Sequence, residues 1–543
     1  MNTKLRSFIA GAVGMVVAFG IVELVHGLYQ PVPSVLLAVA QRVIEFTPGE
    51  FATSAVETLG KADIPVLITA TTLLTLALAG FLAYLSLRSQ FLALAGVVVL
   101  AVVALAASFT EPSVVPVPTV LTIVGALCVG SVVASFLLSA SGLRASEPVS
   151  QQEPTTEAEG EPSTAGVRSK DAHSKRGIAV PRRNFLLLSG GAAVVGLAAA
   201  GAGRLLGGGD AQQASTAAPL KLPGSAASVP ETLPAPLPEA SIDVPGMPPV
   251  ITPAEDFYLI DTAITPPRIN VESWTLKVMG EVDNPIELSY NDLISLPTRE
   301  SDVTLSCISN EVGGSLVSNG RWTGVLLSDV LAEAGVSSDK ISQASEQLVG
   351  RSADGWTAGF QTDIALDGRE ALVAFGLNGS ELPLDHGYPV RLVVPGLYGY
   401  VSATKWLTEI ELTDWDFDAY WIQRSWAKEG PIQTQSRIDT VGDDDNLSAG
   451  TVQIGGVAWA PHRGIDRVEV STDDGETWND AQLAAQLALD TWRLYVYDWP
   501  AEPGEHTLKV RATDGEGETQ TEEETAPHPT GATGYHTVKV TVA

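Results

Sequence analysis

The chain of 543 residues is too long for one ordinary domain, and its 45% apolar content is high for a purely soluble protein. Residues 210–543 carry 19 basic and 51 acidic side chains, whereas residues 1–209 carry 13 and 12, so the net charge of −31 belongs to the second part. Such an acidic surface repels nucleic acid and excludes it as a partner. Either a cationic partner or solubility alone accounts for the surface.

Four apolar stretches near the N-terminus approach the roughly 20 residues that a helix needs to cross a membrane. They predict a four-helix membrane domain over residues 1–144, with spans at about Phe8–Leu28, Pro65–Leu87, Phe91–Phe109 and Thr119–Ser141. Glu23 and His26 share one face of the first span. They form either a proton or partner site or an interfacial pair.

Residues 145–181 are rich in Gln, Glu, Pro, Ser and Thr, which predicts a flexible cytoplasmic linker. The paired Arg182 and Arg183 then precede an apolar segment, so residues 182–207 are predicted as a fifth transmembrane helix. The arrangement resembles a twin-arginine export signal, or else the arginines simply anchor a helix on the positive side. Both interpretations place the N-terminus in the cytoplasm and the C-terminal part outside it, at the cell membrane.

The exported part is predicted to contain three segments. Closely spaced prolines indicate a semi-stiff spacer over residues 208–254, and mixed strand and helix patterns indicate an α+β domain over residues 255–440. Short alternating strands over residues 450–543, with turns at Asp474-Gly475 and Asp514-Gly515, indicate an immunoglobulin-like β-sandwich. The two cysteines, Cys128 in an apolar run and Cys307 in the acidic part, are not expected to pair.

Two segments of the α+β domain carry candidate chemistry. In Thr304–Gly314, Cys307 follows a strand and precedes polar and glycine residues, where its sulfur can act as a soft donor, although a lone cysteine is more often a buried apolar residue. Residues 378–407 bring His386, Arg391 and Lys405 together among Gly and Pro turns. Such a cluster suits an anionic, phosphate-bearing cofactor, and the alternative is a set of salt bridges on an acidic surface.

From about Phe257 onward the chain resembles the sulfite oxidase family of molybdopterin-dependent oxidoreductases, in its membrane-anchored bacterial or archaeal type. The motifs that carry the resemblance are Thr-Leu-x-Cys-x-x-Asn around Cys307, Arg-Trp-x-Gly-Val from Arg321, His-Gly-x-Pro-x-Arg from His386, and Lys-Trp-Leu from Lys405. The C-terminal sandwich resembles the dimerisation domain of that family, which implies a homodimer.

The resemblance implies one molybdenum bound to molybdopterin, with Cys307 as the metal ligand. It implies cofactor contacts from Cys307, Asn310, Asp261, Thr262, His386, Arg391, Ser402 and Lys405. It also implies catalytic positions at Cys307, Arg463, Arg424 and Trp426. The cofactor would supply two-electron oxygen-atom transfer.

Departures from the family pattern concern the substrate side. Sulfite oxidases carry Arg, Asn and His where this chain has Ile260, Asp261 and Thr262, and a tyrosine where it has Trp426. We therefore expect a small sulfur- or nitrogen-containing substrate and a separate electron-transfer partner, either a cytochrome or a membrane redox protein. The alternative is a non-catalytic, membrane-tethered binding protein that retains the fold.

Overall fold

The structure, a computed structural model, describes residues 3–47, 51, 59, 62–111, 114–140, 182–215 and 232–543. The linker predicted at 145–181 lies outside the described residues, as do the side chains of Arg182 and Arg183 and the part of the spacer at 216–231. Met1–Glu45 and Lys61–Asp210 belong to one compact unit, which is helical, and Ala211–Ala543 belong to a second, globular one.

Six helices form the described part of the helical unit. They are α1 (Thr3–Leu28), α2 (Val35–Phe46), α3 (Asp63–Leu85), α4 (Gln90–Ser108), α5 (Pro116–Ala140) and α6 (Arg182–Ser215). By length and composition, α1, α3, α4, α5 and the Asn184–Leu206 part of α6 suffice to cross a membrane, in agreement with the five predicted spans. Helix α2 was not predicted, because its 12 residues are too few to span and include polar ones near its end.

Helix α1 packs closely against three other helices through glycines. A Cβ atom on any of these glycines would come within 3 Å of a facing backbone carbonyl, and the facing pairs are Gly11 with Ala79, Gly14 with Gly130, Gly20 with Gly196 and Gly27 with Gly203. The last two pairs repeat at seven residues on both helices, which keeps them on one face. Small residues thus allow α6 to approach α1 at backbone distance.

Glu23 and His26 of α1 both make contacts within this unit. The buried Glu23 carboxylate accepts a 2.5 Å hydrogen bond from Ser34 Oγ and lies 3.9 Å from Arg204 Nε of α6. His26 Nδ1 lies 2.8 Å from Val32 O. Glu23 therefore takes part in the packing between α1 and α6.

The first half of the globular unit contains one mixed and one antiparallel sheet. One has the order β2-β1-β10-β5-β6, with β1 (Thr275–Gly280), β2 (Ile286–Ser289), β5 (Gln347–Ser352), β6 (Thr357–Gln361) and β10 (Leu407–Thr413). The other has the order β3-β4-β7-β8, with β3 (Thr298–Ser306), β4 (Val317–Leu326), β7 (Leu372–Leu377), β8 (Ser380–Glu381) and β9 (Arg391–Val393), which pairs with β7. Only β1 and β10 pair in parallel within these sheets.

Three short helices connect these strands: α7 (Tyr290–Ser295), α8 (Leu327–Glu333) and α9 (Gly399–Ser402). Helix α8 is followed by Gly335, which adopts φ +80, and the Val336 N–H donates to Leu331 O, so this glycine terminates the helix. The result is the expected α+β arrangement, with β3 ending at the residue before Cys307.

The C-terminal half consists of two further sheets. One has the order β11-β13-β17-β16, with β11 (Gln435–Ile438), β13 (Gly450–Trp459), β16 (Gln482–Leu483) and β17 (Arg493–Ala501). The other has the order β12-β19-β18-β14-β15, with β12 (Asp445–Leu447), β14 (Ile465–Ser471), β15 (Asn479–Asp480), β18 (Gly504–Asp514) and β19 (His536–Val542). Buried side chains from both sheets form one core. Because β11 pairs with β13, the sheets begin before residue 450.

From residue 232 the proline-rich segment, predicted as a semi-stiff spacer over residues 208–254, packs on the globular unit. Arg321 donates to Leu233 O and Pro234 O, and Trp492 Nε1 donates to Val250 O at 2.9 Å. Proline removes a backbone donor but leaves the carbonyl oxygens as acceptors. Buried donors of the domain therefore hold the segment in place.

Candidate active site

Cys307 lies where β3 ends, as predicted. Its N–H donates to Leu316 O at 2.9 Å, and the Leu316 N–H donates to Asn310 Oδ1 at 2.8 Å, which closes the loop that follows the cysteine. Burial raises the pKa of the Cys307 thiol, against hydrogen bonds from the Ser309 backbone and hydroxyl. The sulfur is therefore a desolvated soft donor. The N–H and the hydroxyl of Ser309 can stabilise it as a thiolate.

Glycine is required at one point of this loop. Gly313 has φ +76, and a Cβ there would lie 2.2 Å from His536 Cδ2 of β19. Asn310 Nδ2 also donates to Gln435 Oε1 at 3.4 Å. The cysteine loop is thus held by the C-terminal sheets, and the Asn310 amide is engaged in holding it.

Arg391, the first residue of β9, is 3% exposed. Its Nη1 donates to His386 O at 3.0 Å, its guanidinium lies 5.0 Å from the Trp322 ring centroid, and it forms no ion pair with any residue of the described chain. Desolvation lowers its pKa to about 10, although Tyr258 and Asp261 oppose this effect. A buried cation without a bonded carboxylate is a site prepared for an anion.

Lys405 lies near this arginine and is paired. Its Nζ lies 2.6 Å from Asp261 Oδ1 and donates to Asp385 O at 2.7 Å. Burial raises the pKa of Asp261 to about 6 although Lys405 lowers it, so at pH 7 the carboxylate is mainly ionised. Asp261 thus lies beside Lys405 and Arg391 and reduces the net charge of this cationic cluster, and the half-buried Thr262 follows it in the chain.

His386 is neutral in this environment. Burial and the nearby Lys405 charge lower its pKa to about 4. The ring lies edge-on to Phe257, and Nε2 is 3.2 Å from Ala254 O, so Nε2 donates and Nδ1 is the acceptor of the ring. His386 can accept one hydrogen bond but adds no charge.

Two tyrosines lie within electrostatic range of Cys307, Tyr258 also of Arg391 and Tyr398 also of Arg463. Tyr258 has its pKa raised by burial and by Cys307 and lowered by Arg391, so it lies close to both. Burial raises the pKa of Tyr398 to about 12, and Cys307 and Arg463 also influence it. Neither was named as a site residue from the sequence, although each stands beside a motif that was singled out.

The two arginines expected on the substrate side make hydrogen bonds within the chain, although Arg424 Nε is buried without a partner among the described residues. Arg463 donates to Asp514 Oδ2 at 2.9 Å, to Ile432 O at 3.0 Å and to Thr434 Oγ1 at 2.9 Å. Arg424 donates to Tyr420 O at 2.7 Å, with its guanidinium 3.7 Å from the centroid of that ring. Within the described chain, no contact brings Arg424 to Cys307 or to the cationic cluster.

Trp426 is covered on both faces. Trp421 stacks on it at 4.1 Å and 16°, and the His528 ring lies 4.2 Å away at 33°. Its buried Nε1 has no hydrogen-bond partner among the residues that the structure describes. Trp426 can therefore offer an N–H donor but not a ring face.

Ser402 differs from the other predicted cofactor residues. Its hydroxyl, fully buried at the end of α9, donates to Tyr398 O at 3.0 Å. This bond satisfies the only donor of the side chain. In this structure the hydroxyl of Ser402 stabilises α9 by this hydrogen bond to the residue before the helix.

These residues fit a molybdenum cofactor by their chemistry. The described residues contain no group of three or more His, Cys, Asp or Glu side chains able to hold a metal unaided. One desolvated thiol, an unpaired buried guanidinium and an imidazole acceptor would instead suit a metal whose other ligands come from an anionic organic group.

Comparison with known proteins agrees with this arrangement. Residues 263–421 match the oxidoreductase molybdopterin binding domain, and residues 428–542 match the Mo-co oxidoreductase dimerisation domain. The class is therefore that of molybdopterin-dependent oxidoreductases. Within this class, the chain belongs to the sulfite oxidase family.

Individual relatives cover part of the chain. Human mitochondrial sulfite oxidase is 30% identical over 286 residues, which are 45% of this chain and 52% of that protein. A Brassica napus NADH nitrate reductase is 30% identical over 271 residues, 40% of this chain and 30% of that protein. The sulfane dehydrogenase SoxCD of Paracoccus pantotrophus covers 56% of this chain and 82% of its own at 23% identity, with a TM-score of 0.47. The chain spans about half the length of the sulfite oxidases of human, rat and mouse that it matches.

Proposed function

We propose that this chain is a membrane-anchored oxidoreductase that carries one molybdenum–molybdopterin and acts on a small sulfur- or nitrogen-containing substrate outside the cytoplasm. The observation that carries the proposal is Arg391, a buried guanidinium without an ion pair in the described chain, which shares Tyr258 as a neighbour with the Cys307 thiol. Burial of such a charge is costly unless an anion accompanies it.

Each residue has a proposed part in holding the cofactor. Cys307 would supply the thiolate ligand, Arg391 and Lys405 would bind the anionic groups, and His386 Nδ1 would accept a hydrogen bond. The loaded cofactor would supply two-electron oxygen-atom transfer between water and substrate. Asp261, paired with Lys405, limits the positive charge, so the pocket would favour one anionic group over several.

The substrate is proposed to be uncharged or weakly anionic, such as a sulfoxide or an N-oxide. Ile260, 49% exposed, stands where sulfite oxidases carry an arginine, and Arg463 is neutralised by Asp514. An oxyanion would have to displace that carboxylate. The Trp426 N–H is suited to a neutral oxygen acceptor.

The surroundings of the enzyme are proposed from the sequence pattern. Five apolar helices support anchoring, and the paired Arg182 and Arg183 at the start of α6 support export of a folded domain by the twin-arginine route. The C-terminal sheets are proposed to be immunoglobulin-like and, with their match to a dimerisation domain, to form a homodimer. Electrons would pass to or from a separate cytochrome or membrane redox protein.

The test is metal analysis of the full-length protein, produced in a host that makes the cofactor, followed by a dye-coupled screen. We expect near-stoichiometric molybdenum and turnover of sulfoxides or N-oxides in preference to sulfite. Protein without molybdenum would contradict the proposal. Molybdenum-loaded protein that binds these compounds without turnover would instead support the alternative, a tethered binding protein that retains the fold.

A further inference from the structure

Ser309 links the candidate metal ligand to a histidine from the C-terminal sheets. Its backbone N–H and hydroxyl act as donors that lower the pKa of the nearby Cys307 thiol, and its Oγ lies 3.3 Å from His528 Nε2. A hydroxyl has one proton to donate. When that proton is directed to the sulfur, Ser309 Oγ accepts from the His528 Nε2–H.

We propose that His528 is a positioning residue that acts on the Cys307 sulfur through Ser309 and so sets the reduction potential of the metal that Cys307 would hold. The inference rests on the proposed function, because it requires Cys307 to be a metal ligand. Hydrogen bonds to a metal-bound thiolate withdraw charge from it and raise the potential of the centre. His528 keeps the Ser309 proton on the sulfur.

The ring of His528 is held in place by aromatic contacts, as its hydrogen bond to Ser309 requires. One face lies 4.2 Å from Trp426, whose opposite face stacks on Trp421 at 4.1 Å, and the edge of Tyr400 closes the stack at 5.2 Å. Trp426 therefore fixes the orientation of the His528 ring. This explains why an indole can stand where the family has a phenol: it supplies a wide flat face for the imidazole.

The loop that carries His528 is attached on both sides. The Ala427 N–H donates to Pro529 O at 3.2 Å, and Gln433 Nε2 donates to Thr530 O at 3.3 Å. Gly531, at φ +98, lies against Tyr398, where a Cβ would come within 2.4 Å of the hydroxyl. Movement of the C-terminal sheets relative to the cysteine loop would thus change the hydrogen bond to Ser309.

The experiment compares His528→Phe, His528→Gln and Ser309→Ala in the molybdenum-loaded, full-length protein. Phe keeps the aromatic stack without a donor, and Gln places an N–H close to the position of Nε2. The measurements are the molybdenum midpoint potential by redox titration and the Mo(V) EPR spectrum. His506→Phe is the matched control, because that histidine also contacts a tryptophan, Trp499 at 4.8 Å, on the same sheets but is bonded to Glu502 O.

We expect His528→Phe and Ser309→Ala to shift the potential in the same negative direction and to alter the EPR spectrum. The double variant should shift no further than Ser309→Ala, while His528→Gln and His506→Phe should stay near the wild-type potential. An unshifted potential in loaded His528→Phe, or additive shifts in the double variant, would overturn this inference alone. Wild-type protein without molybdenum would overturn it together with the proposed function.

Discussion

At the scale of one residue, the buried charge of Arg391 lowers the stability of the folded protein while no anion is bound. The guanidinium is buried, contacts the Trp322 face and has no ion pair in the described chain. Replacing an uncompensated buried charge by an apolar side chain of similar length removes its desolvation penalty. The same change removes the anion-binding group.

We therefore predict opposite effects for Arg391→Met. The metal-free protein should gain about 1 to 3 kcal/mol of unfolding free energy, whereas cofactor content should fall by roughly tenfold. All 11 tryptophans lie between Trp274 and Trp499, so tryptophan fluorescence follows unfolding of the globular unit within the full chain. Arg351→Met, which removes a cation paired with Glu409 and Glu411, is the control and should leave cofactor content unchanged. Full cofactor content in Arg391→Met would contradict the assignment.

Because Asp261 is buried, the folding stability of the protein is expected to depend on pH, and the burial determines the sign of this dependence. The folded protein raises its pKa from 3.8 to about 6, so it holds that proton more tightly than the unfolded chain does. The protonated carboxyl therefore contributes to the stability of the folded protein. This contribution to stability is fully present below pH 3.8 and is lost as the pH rises through about 6.

The stability of wild type relative to Asp261→Asn should thus fall by on the order of 2 kcal/mol between pH 4 and 7. Denaturant unfolding of the metal-free protein at several pH values measures this difference. A pH-independent difference for Asp261→Asn would show that its carboxyl is not desolvated.

At the scale of elements, the packing of α6 on α1 depends on glycines at seven-residue spacing. A side chain at Gly203 would meet Glu23 O at 2.1 Å, whereas at Gly201, two residues earlier on the same helix, no atom of the described chain lies within 4 Å. Overpacking a close helix contact typically costs 1 to 3 kcal/mol.

Gly203→Leu should accordingly lower the thermal midpoint of the detergent-solubilised helical unit by several degrees, and Gly201→Leu should not. Heating followed by size-exclusion chromatography of the full-length protein measures both variants. Equal midpoints for the two would show that α6 does not need this contact.

The elements also show what the sequence could and could not predict. Apolar length predicted five spans, and alternation predicted the strands that became β13, β14, β17, β18 and β19, because both signals are local. Helix α2 was missed, and so was the pairing of β11 with β13. The contact between Ser309 and His528 joins residues 219 positions apart, and no local pattern encodes it.

The same limit applies to the site. The motifs around Cys307, His386, Arg391 and Lys405 were visible because their residue types are unusual in an acidic domain. That Arg463 is bonded to Asp514, and that residues 232–254 pack on the domain, depends on tertiary contacts. Whether a charge is available to a ligand is decided by such neighbours, which the sequence does not display.

At the scale of the whole molecule, strong acidity and dimerisation oppose each other. Residues 210–543 carry 51 acidic and 19 basic side chains, and residues 428–542 match a dimerisation domain. Screening of like charges should favour association. We predict that raising salt from about 0.05 to 0.5 M lowers the dimer dissociation constant severalfold. Sedimentation of the full-length protein in detergent measures it, and a monomer at every salt concentration would contradict the homodimer.

The proposed activity depends on the sulfur of Cys307 being a ligand of molybdenum. Molybdenum X-ray absorption spectroscopy of the full-length wild type and of Cys307→Ser tests this bond directly. We expect one sulfur ligand fewer in the variant, with loss of turnover. An unchanged number of sulfur ligands would show that the metal, if present, is held without Cys307.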